Sequence, residues 1–210
     1  MIARHQTVLF IVLLAASAIM GVLLWNQLRR SHDRLLHGQD SAPTQAPQVA
    51  AAEQATLMVA NDADNTVQPR LLTLPLPQNP EARARAILGK LLDLYAAPTA
   101  THPVPGGTNS ITQVFLVPIV NSKGSVTPDG PELAVVNLTS SFVASHPSGL
   151  ETESLTVLSI CSTLDANLPR VKEVHFLVDG QPRTTLAGHA DLTRTYLTNE
   201  DAVAAGGSRS

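Results

Sequence analysis

The sequence predicts an α+β fold: a two-layer sandwich in which a small mixed β-sheet carries two α-helices on one face, preceded by one N-terminal transmembrane helix. Three observations lead to this prediction. Short extended segments and two amphipathic stretches follow one another in the order β-β-α-β-β-α-β-β. Two amphipathic helices need one sheet to cover them. An uncharged apolar run precedes these elements and is separated from them by a stretch rich in Ala, Pro and Gln.

The apolar run covers residues 7–25 and is long enough to cross a bilayer, since a helix of this length spans roughly 28 Å. Arg4 lies before it and Arg29 after it, and Trp25 stands where an interfacial aromatic residue is expected. A cleaved signal peptide is the alternative, with a small-residue pattern at 16–18. We favour an uncleaved signal anchor, because the apolar run continues to Leu24, well beyond that pattern.

These features predict five segments. We expect a short cytoplasmic N-terminus at 1–6, the anchor at 7–25, a juxtamembrane and flexible linker at 26–54, the folded domain at 55–197 and a disordered tail at 198–210. This order describes a single-pass protein of the cell membrane whose C-terminal domain is extracytoplasmic and whose residues 7–25 contact the inner membrane.

Within the domain, residues 54–61 and 69–77 are the first two predicted strands. A helix is expected to start after Asn79, because an Asn cap precedes Pro80 and Glu81. Further strands are predicted near 114–117 and at 133–138, and a second helix from Leu150 to a stop at Pro169. The strand at 173–178, the Asp-Gly turn and a return strand at 181–186 read as a closing hairpin. The stretch from 133 to 178 predicts a βαβ crossover.

The composition excludes several classes of function. A net charge of −3 and the lack of a basic patch argue against nucleic-acid binding. The low aromatic content, 3%, makes a carbohydrate groove hard to build. Cys161 is the only cysteine and is expected to be buried and inert. No metal-ligand spacing and no phosphate-binding loop is present, so we expect neither a metal nor another cofactor.

One pair of residues keeps an enzymatic alternative open. His189 and Asp191 stand two apart on an extended segment with threonines nearby, so an envelope hydrolase with a Ser or Thr nucleophile is the rival hypothesis. Our main hypothesis is that the segment is a chain end packed across the sheet, because no nucleophile motif accompanies the pair.

Two longer stretches resemble a known family. The segment ATLMVANDADNTVQPRLLTLPLPQNPEARARAILGKLL is similar to the opening of the GerMN domain of sporulation and spore germination proteins. The segment AVVNLTSSFVASHPSGLETESLTVLSICSTLDANLPRVKEVHFLVDG resembles the core of that domain. The likeness covers about residues 55–197. The family-like positions are Arg85, Ser140, Ser141, Gly149, Glu153, Thr163, Leu164, Asp179 and Gly180.

The resemblance implies a non-catalytic binding or assembly module of the bacterial cell envelope. Such a module is expected near sporulation, germination or peptidoglycan-associated machinery, with envelope proteins as partners. The resemblance leaves self-association open. It also suggests a structural role for Glu153 at the start of the second helix, where the helix dipole favours an acid. We predict that Arg85 on the first helix pairs with Glu153, provided that the two helices lie side by side.

Overall fold

The computed structural model describes residues 52–121 and 124–198, together with Met20. The chain divides into two compact units, Met1–Gln48 and Val49–Ser210, and the fold described below belongs to the second. Nearly all of the predicted anchor, most of the linker and the tail beyond residue 198 lie outside the described residues. Among the helices that are described, none has both the length and the apolar character needed to cross a membrane.

The described part of the domain contains six strands and three helices. In chain order they are β1 Ala52–Asn61, β2 Thr66–Pro75, α1 Pro80–Tyr95, β3 Ile111–Pro118, β4 Glu132–Leu138, α2 Ser140–Ser145, α3 Leu150–Asn167, β5 Val171–Val178 and β6 Tyr196–Leu197. A 3₁₀ turn at Gly107–Ser110 leads into β3.

The first long helix begins where its cap predicts. Asn79 lies just before α1, and its side-chain Oδ1 accepts a hydrogen bond from the backbone N–H of Ala82 at 2.9 Å. Pro80 occupies the first helical position and Glu81 the first turn. The apolar positions of this helix are buried in the core, as their spacing predicts.

The strands form two sheets, which corrects the prediction of a single sheet. β1 and β2 make an antiparallel hairpin by themselves, and the second sheet has the order β3-β4-β5-β6. In that second sheet β4 and β5 are parallel and the other neighbours are antiparallel. The parallel pair confirms the predicted crossover through α3. The hairpin stays separate because the outer edge of β1 bonds to helix side chains instead of to another strand.

A third, short helix was not predicted. Residues 140–145 form α2, where the sequence prediction placed only a lead-in to the next helix. Thr139 caps it by accepting from the backbone N–H of Phe142 at 3.2 Å, and Phe142 and Val143 are buried.

The predicted return strand at 181–186 is wrong beyond its first residue. The Asp179–Gly180 turn does form, and Val178 and Gln181 exchange two backbone hydrogen bonds. Pro182 then lacks the N–H that a ladder requires. The chain leaves the sheet, and the place beside β5 is taken by β6, which pairs with Glu173 and Val174.

One face of the four-stranded sheet is covered and the other is open. Val114, Val136 and Phe176 lie side by side in the register and are buried. Helix α1 packs on β3, and α3 packs on β1 and β5. The buried residues of the helices, the hairpin and the covered sheet face form one hydrophobic core.

Candidate functional site

Glu153 lies in the first turn of α3 with its side chain fully buried. Its Oε2 accepts from the backbone N–H groups of Ala187, His189 and Ala190, each at 2.9 Å. Its Oε1 accepts from the N–H of Gly149 at 3.2 Å and lies 2.9 Å from Nδ1 of His189. Five donors therefore surround one carboxylate, and the segment 187–190 is held against the start of α3.

These bonds decide the ionisation of Glu153. Burial by itself raises the pKa of this carboxyl group. The backbone N–H groups of Ala187, Ala190 and His189 and the His189 side chain act in the opposite direction and prevail, so that the pKa of Glu153 falls from 4.5 to about 2. Glu153 is therefore a charged anchor for the closing segment at any physiological pH.

The two residues of the hydrolase alternative are not brought together. The His189 ring bonds to Glu153, and the structure places no hydroxyl group of the described residues within hydrogen-bond reach of it. Asp191 instead accepts from the backbone N–H and the hydroxyl of Thr193, at 2.8 and 2.6 Å. The specific arrangement that this alternative requires is absent from the described part of the chain.

A second buried cluster, which we call the histidine cluster, consists of Asp62, His102, Thr156 and His146. Asp62 contacts Nδ1 of His102, and Nε2 of His102 lies 2.7 Å from Oγ1 of Thr156. Nε2 of His146 lies 2.9 Å from the same oxygen. The two histidines and the threonine are buried, and they join the end of β1, the loop after α1, the α2–α3 connection and α3.

The order carboxylate, imidazole, hydroxyl in this cluster is that of a Ser-His-Asp triad. The hydroxyl, however, is inaccessible: Thr156 is 0% exposed, and a second imidazole and the carbonyl of Thr152 also contact its oxygen. A substrate has no approach to this oxygen in the observed conformation. Sequence reasoning missed the cluster, since its four residues come from four separate segments and no spacing links them.

Three family-like residues, Ser140, Asp179 and Gly180, connect the turn between β4 and α2 with the turn that follows β5. Asp179 accepts from the N–H of Ser140 through Oδ1 at 3.2 Å, and its own N–H donates to the carbonyl of Leu138 at 2.9 Å. Gly180 donates to Oδ1 of Asn137 at 2.7 Å. Asp179 and Gly180 both have positive φ, 48° and 76°, a conformation that Asp and Gly tolerate better than most residues. The two residues set the path of the chain at this edge.

The predicted pairing of Arg85 with Glu153 does not occur. Nε of Arg85 donates to the carbonyl of Ile111 at 3.2 Å, and Oε1 of Glu81 accepts from the N–H of Leu116 at 3.3 Å. Both α1 side chains thus cover the outer edge of β3, which would otherwise present unpaired backbone groups. His189 takes the place beside Glu153 that the prediction assigned to Arg85.

Thr163 acts on the outer edge of β1. Its Oγ1 accepts from the N–H of Met58 at 2.9 Å, one helical turn before Asn167, whose side chain bonds both the N–H and the carbonyl of Thr56. The hydroxyl of Tyr95 accepts from the N–H of Ala60 at 2.9 Å. Helix side chains therefore satisfy the backbone groups of this strand edge, as a neighbouring strand would.

The open face of the four-stranded sheet carries a group of apolar side chains among polar ones. We use this name for the residues that alternate with the buried positions of their strands, which are the apolar Phe115, Val117, Leu133, Val135, Leu177 and Leu197 and the polar Gln113, Asn137, Glu173 and His175. Phe115, Val117 and Leu197 are 41%, 45% and 47% exposed. Phe115, Val135 and His175 form one cross-strand row, and Val117, Leu133, Glu173 and Leu197 form the next. A group of exposed apolar side chains of this kind is typical of a binding surface.

No group of three or more His, Cys, Asp or Glu side chains among the described residues is arranged to hold a metal ion. Cys161 is buried, as predicted for an inert thiol.

The family model described as Germane, sporulation and spore germination, matches residues 56–184. The first GerMN domain of the sporulation protein GerM from Bacillus subtilis is 14% identical, with a TM-score of 0.41 over 71% of this chain and 99% of that one. The tandem GerMN domains of the same protein are 14% identical, with a TM-score of 0.38 over 68% of this chain and 44% of that one. No curated protein sequence matches the chain.

Proposed function

The chain belongs to the Germane family of sporulation and spore germination proteins, and from that membership we propose that it is a membrane-anchored, non-catalytic binding module of the bacterial cell envelope. The anchor is residues 7–25, and the domain is held outside the cytoplasm on the linker 26–54. Its partner is an envelope protein of sporulation, germination or peptidoglycan-associated machinery.

The observation that carries this proposal is the group of exposed apolar side chains on the open face. A lone two-layer domain usually places polar side chains on its uncovered sheet face. Here Phe115, Val117 and Leu197 are each more than 40% exposed, and half-buried aliphatic residues as well as Glu173 and His175 lie beside them. Covering these side chains removes apolar surface from water, at about 25 cal/mol per Å² of gross stabilisation. A protein partner with its own apolar patch fits such a surface.

The polar groups of the domain support a binding role over a catalytic one. Glu153, the buried family-like acid, is fully engaged by donors of its own chain. Thr156, the hydroxyl nearest to a histidine–carboxylate pair, is inaccessible. The chemical groups that a hydrolase would present to a substrate are thus used to hold the fold.

Site-specific photo-crosslinking in cells tests the binding surface. A photoreactive residue replaces Val117 on the open face, and a control replaces Gln68, which is exposed on the separate hairpin. We expect one envelope protein to be captured from position 117 and not from position 68. The substitution Phe115→Asp is expected to abolish that capture without unfolding the domain. Equal capture from both positions, or capture unaffected by Phe115→Asp, contradicts the proposed surface.

A separate experiment tests the anchor and its orientation. A reporter enzyme that is active only outside the cytoplasm is fused to Ser210, and cells are fractionated. We expect an active reporter in the membrane fraction. Deletion of residues 7–25 should leave the fusion in the cytoplasm with an inactive reporter. An active, fully released reporter in the intact chain would indicate cleavage after the apolar run and contradict the anchor.

A further inference from the structure

In the histidine cluster, each short contact needs one hydrogen, so the number of contacts fixes the number of hydrogens. Two imidazole nitrogens, Nε2 of His102 and Nε2 of His146, both point at the single hydroxyl of Thr156, at 2.7 and 2.9 Å. A hydroxyl group has one hydrogen to donate. The protonation state of the cluster therefore follows from where the other hydrogens must lie.

The Nδ1 atoms of both histidines must carry a hydrogen. Nδ1 of His146 lies 2.8 Å from the carbonyl oxygen of Pro147, which only accepts. Nδ1 of His102 contacts the carboxylate of Asp62, which also accepts. Were both histidines neutral, each Nε2 would then present a lone pair to Thr156. The one hydroxyl hydrogen, for which the carbonyl of Thr152 at 3.1 Å is a further acceptor, would satisfy at most one of them. The other lone pair would face the oxygen at less than 3 Å with nothing between them.

We infer that the cluster holds one additional proton, on Nε2 of His102, so that His102 is an imidazolium ion paired with Asp62 and donates to Thr156, which in turn donates to His146. Each of the two short contacts between Thr156 and a histidine then contains one hydrogen. The buried charge of His102 is neutralised by the carboxylate, as a buried ion requires.

The surroundings place the proton on His102 rather than on His146. Asp62 contacts His102 directly, whereas the ring of His146 touches Thr156, the Pro147 carbonyl and the edge of Phe142. Burial lowers the pKa of His146, and the neighbouring His102 lowers it further. Pro147, Glu153 and Asp62 act in the opposite direction without prevailing. The ring of Tyr95 also meets the His102 imidazole edge-on, with 4.7 Å between the ring centroids.

The inference makes the cluster a tie between four parts of the domain that depends on one proton. Without this proton the lone-pair conflict at Thr156 returns and Asp62 lacks its cation. The link between the β1–β2 turn and α3 is then weakened.

Nuclear magnetic resonance of histidine side chains tests the inference directly. The full-length chain is labelled with nitrogen-15 histidine, kept in detergent micelles and studied at pH 7. We expect His102 to carry hydrogens on both ring nitrogens and His146 to carry one on Nδ1 only. The substitutions His102→Gln and His146→Gln assign the two signals. A single ring hydrogen on His102, or two on His146, overturns the inference.

A second variant, Asp62→Asn, tests the inference even if those substitutions prevent folding. The Asp62 side chain is 36% exposed, so Asp62→Asn is expected to fold. Without the carboxylate, His102 should lose its second ring hydrogen at pH 7. Asp64→Asn is the matched control, since it makes the same charge change in the same turn, where Oδ1 accepts from Thr66. The control should leave both histidines unchanged, and an unchanged His102 in Asp62→Asn contradicts the inference.

The melting temperature gives an independent readout. At pH 7, Asp62→Asn, which loses the proton on His102, should melt at a lower temperature than Asp64→Asn, which keeps it. Equal melting temperatures in the two variants would show that the proton does not tie the fold.

Discussion

Nδ1 of His189 lies 2.9 Å from Oε1 of Glu153, so a residue of the closing segment and a residue of α3 that stand 36 apart in the chain form one contact. The same carboxylate accepts three backbone N–H groups of residues 187–190. The closing segment therefore depends on Glu153 for its position, although it contributes little regular structure of its own.

We predict that Glu153→Gln lowers the free energy of unfolding by roughly 3 kcal/mol, because an amide replaces a buried carboxylate among five donors. The amide nitrogen cannot accept, so some of these N–H groups lose their partner. Chemical denaturation measures the change. Glu151→Gln is the control, since Glu151 is exposed in the same helical turn, and it should change stability by less than about 0.5 kcal/mol. Equal losses in the two variants would contradict the anchoring role.

The stability of the domain should fall in acid because of this same group. The pKa of Glu153 is about 2 in the fold, against 4.5 ordinarily. A depressed carboxyl pKa means that the unfolded chain takes up the proton first as the pH falls. The stabilisation is thus complete above pH 4.5 and is lost between pH 4.5 and about 2, amounting to about 3 kcal/mol. Denaturation at a series of pH values should show this loss in the wild type and not in Glu153→Gln. An identical loss of stability at low pH in the wild type and in Glu153→Gln would assign that loss to other groups.

Hydrogen exchange at the backbone amides of Met58 and Ala60 tests the outer edge of β1. Thr163→Val keeps the shape of the buried side chain but removes the oxygen that accepts from Met58. We expect the Met58 amide to lose protection from hydrogen exchange and stability to fall by about 1–2 kcal/mol. Tyr95→Phe should do the same to the Ala60 amide and leave Met58 protected. Loss of protection at both amides in either variant would point to general loosening of the hairpin instead.

The parts of the fold that were predicted correctly are specified by neighbouring residues. The start of α1 follows from Asn79, Pro80 and Glu81, which act within one turn. The crossover from β4 to β5 follows from apolar strands on either side of a long helix, which strongly favour a parallel pair. Such signals need no information about distant parts of the chain.

The parts that were missed depend on contacts between distant residues. A return strand after Gly180 was a sound inference from the Asp-Gly turn, but Glu153 binds the chain at Ala187 and draws it to α3. The β6 strand has only two residues and no periodicity to reveal it. Glu153 was expected to find a cation on α1, yet its partners are backbone N–H groups, which every segment carries and no sequence pattern singles out.

Arg85 and Glu153 should behave as independent residues, because Arg85 bonds the carbonyl of Ile111 and Glu153 bonds the closing segment. In a double-mutant cycle, the losses from Arg85→Gln and Glu153→Gln should add within about 0.5 kcal/mol. Arg85→Gln alone is expected to cost less than about 1 kcal/mol, since the arginine is exposed. A coupling energy above about 1 kcal/mol would indicate that Arg85 and Glu153 form an ion pair, which contradicts the structure.

Two substitutions at Asp179 separate the role of its backbone conformation from the role of its charge. Asp179 has a φ of 48°, and its Oδ1 accepts from the N–H of Ser140. Asn tolerates positive φ and keeps an accepting oxygen, so Asp179→Asn should change the free energy of unfolding by less than about 0.5 kcal/mol. Ala has neither property, so Asp179→Ala should cost about 1–2 kcal/mol. Thermal or chemical denaturation of the two variants side by side measures the difference. Equal losses would mean that the carboxylate charge matters and that the turn geometry and the bond to Ser140 do not.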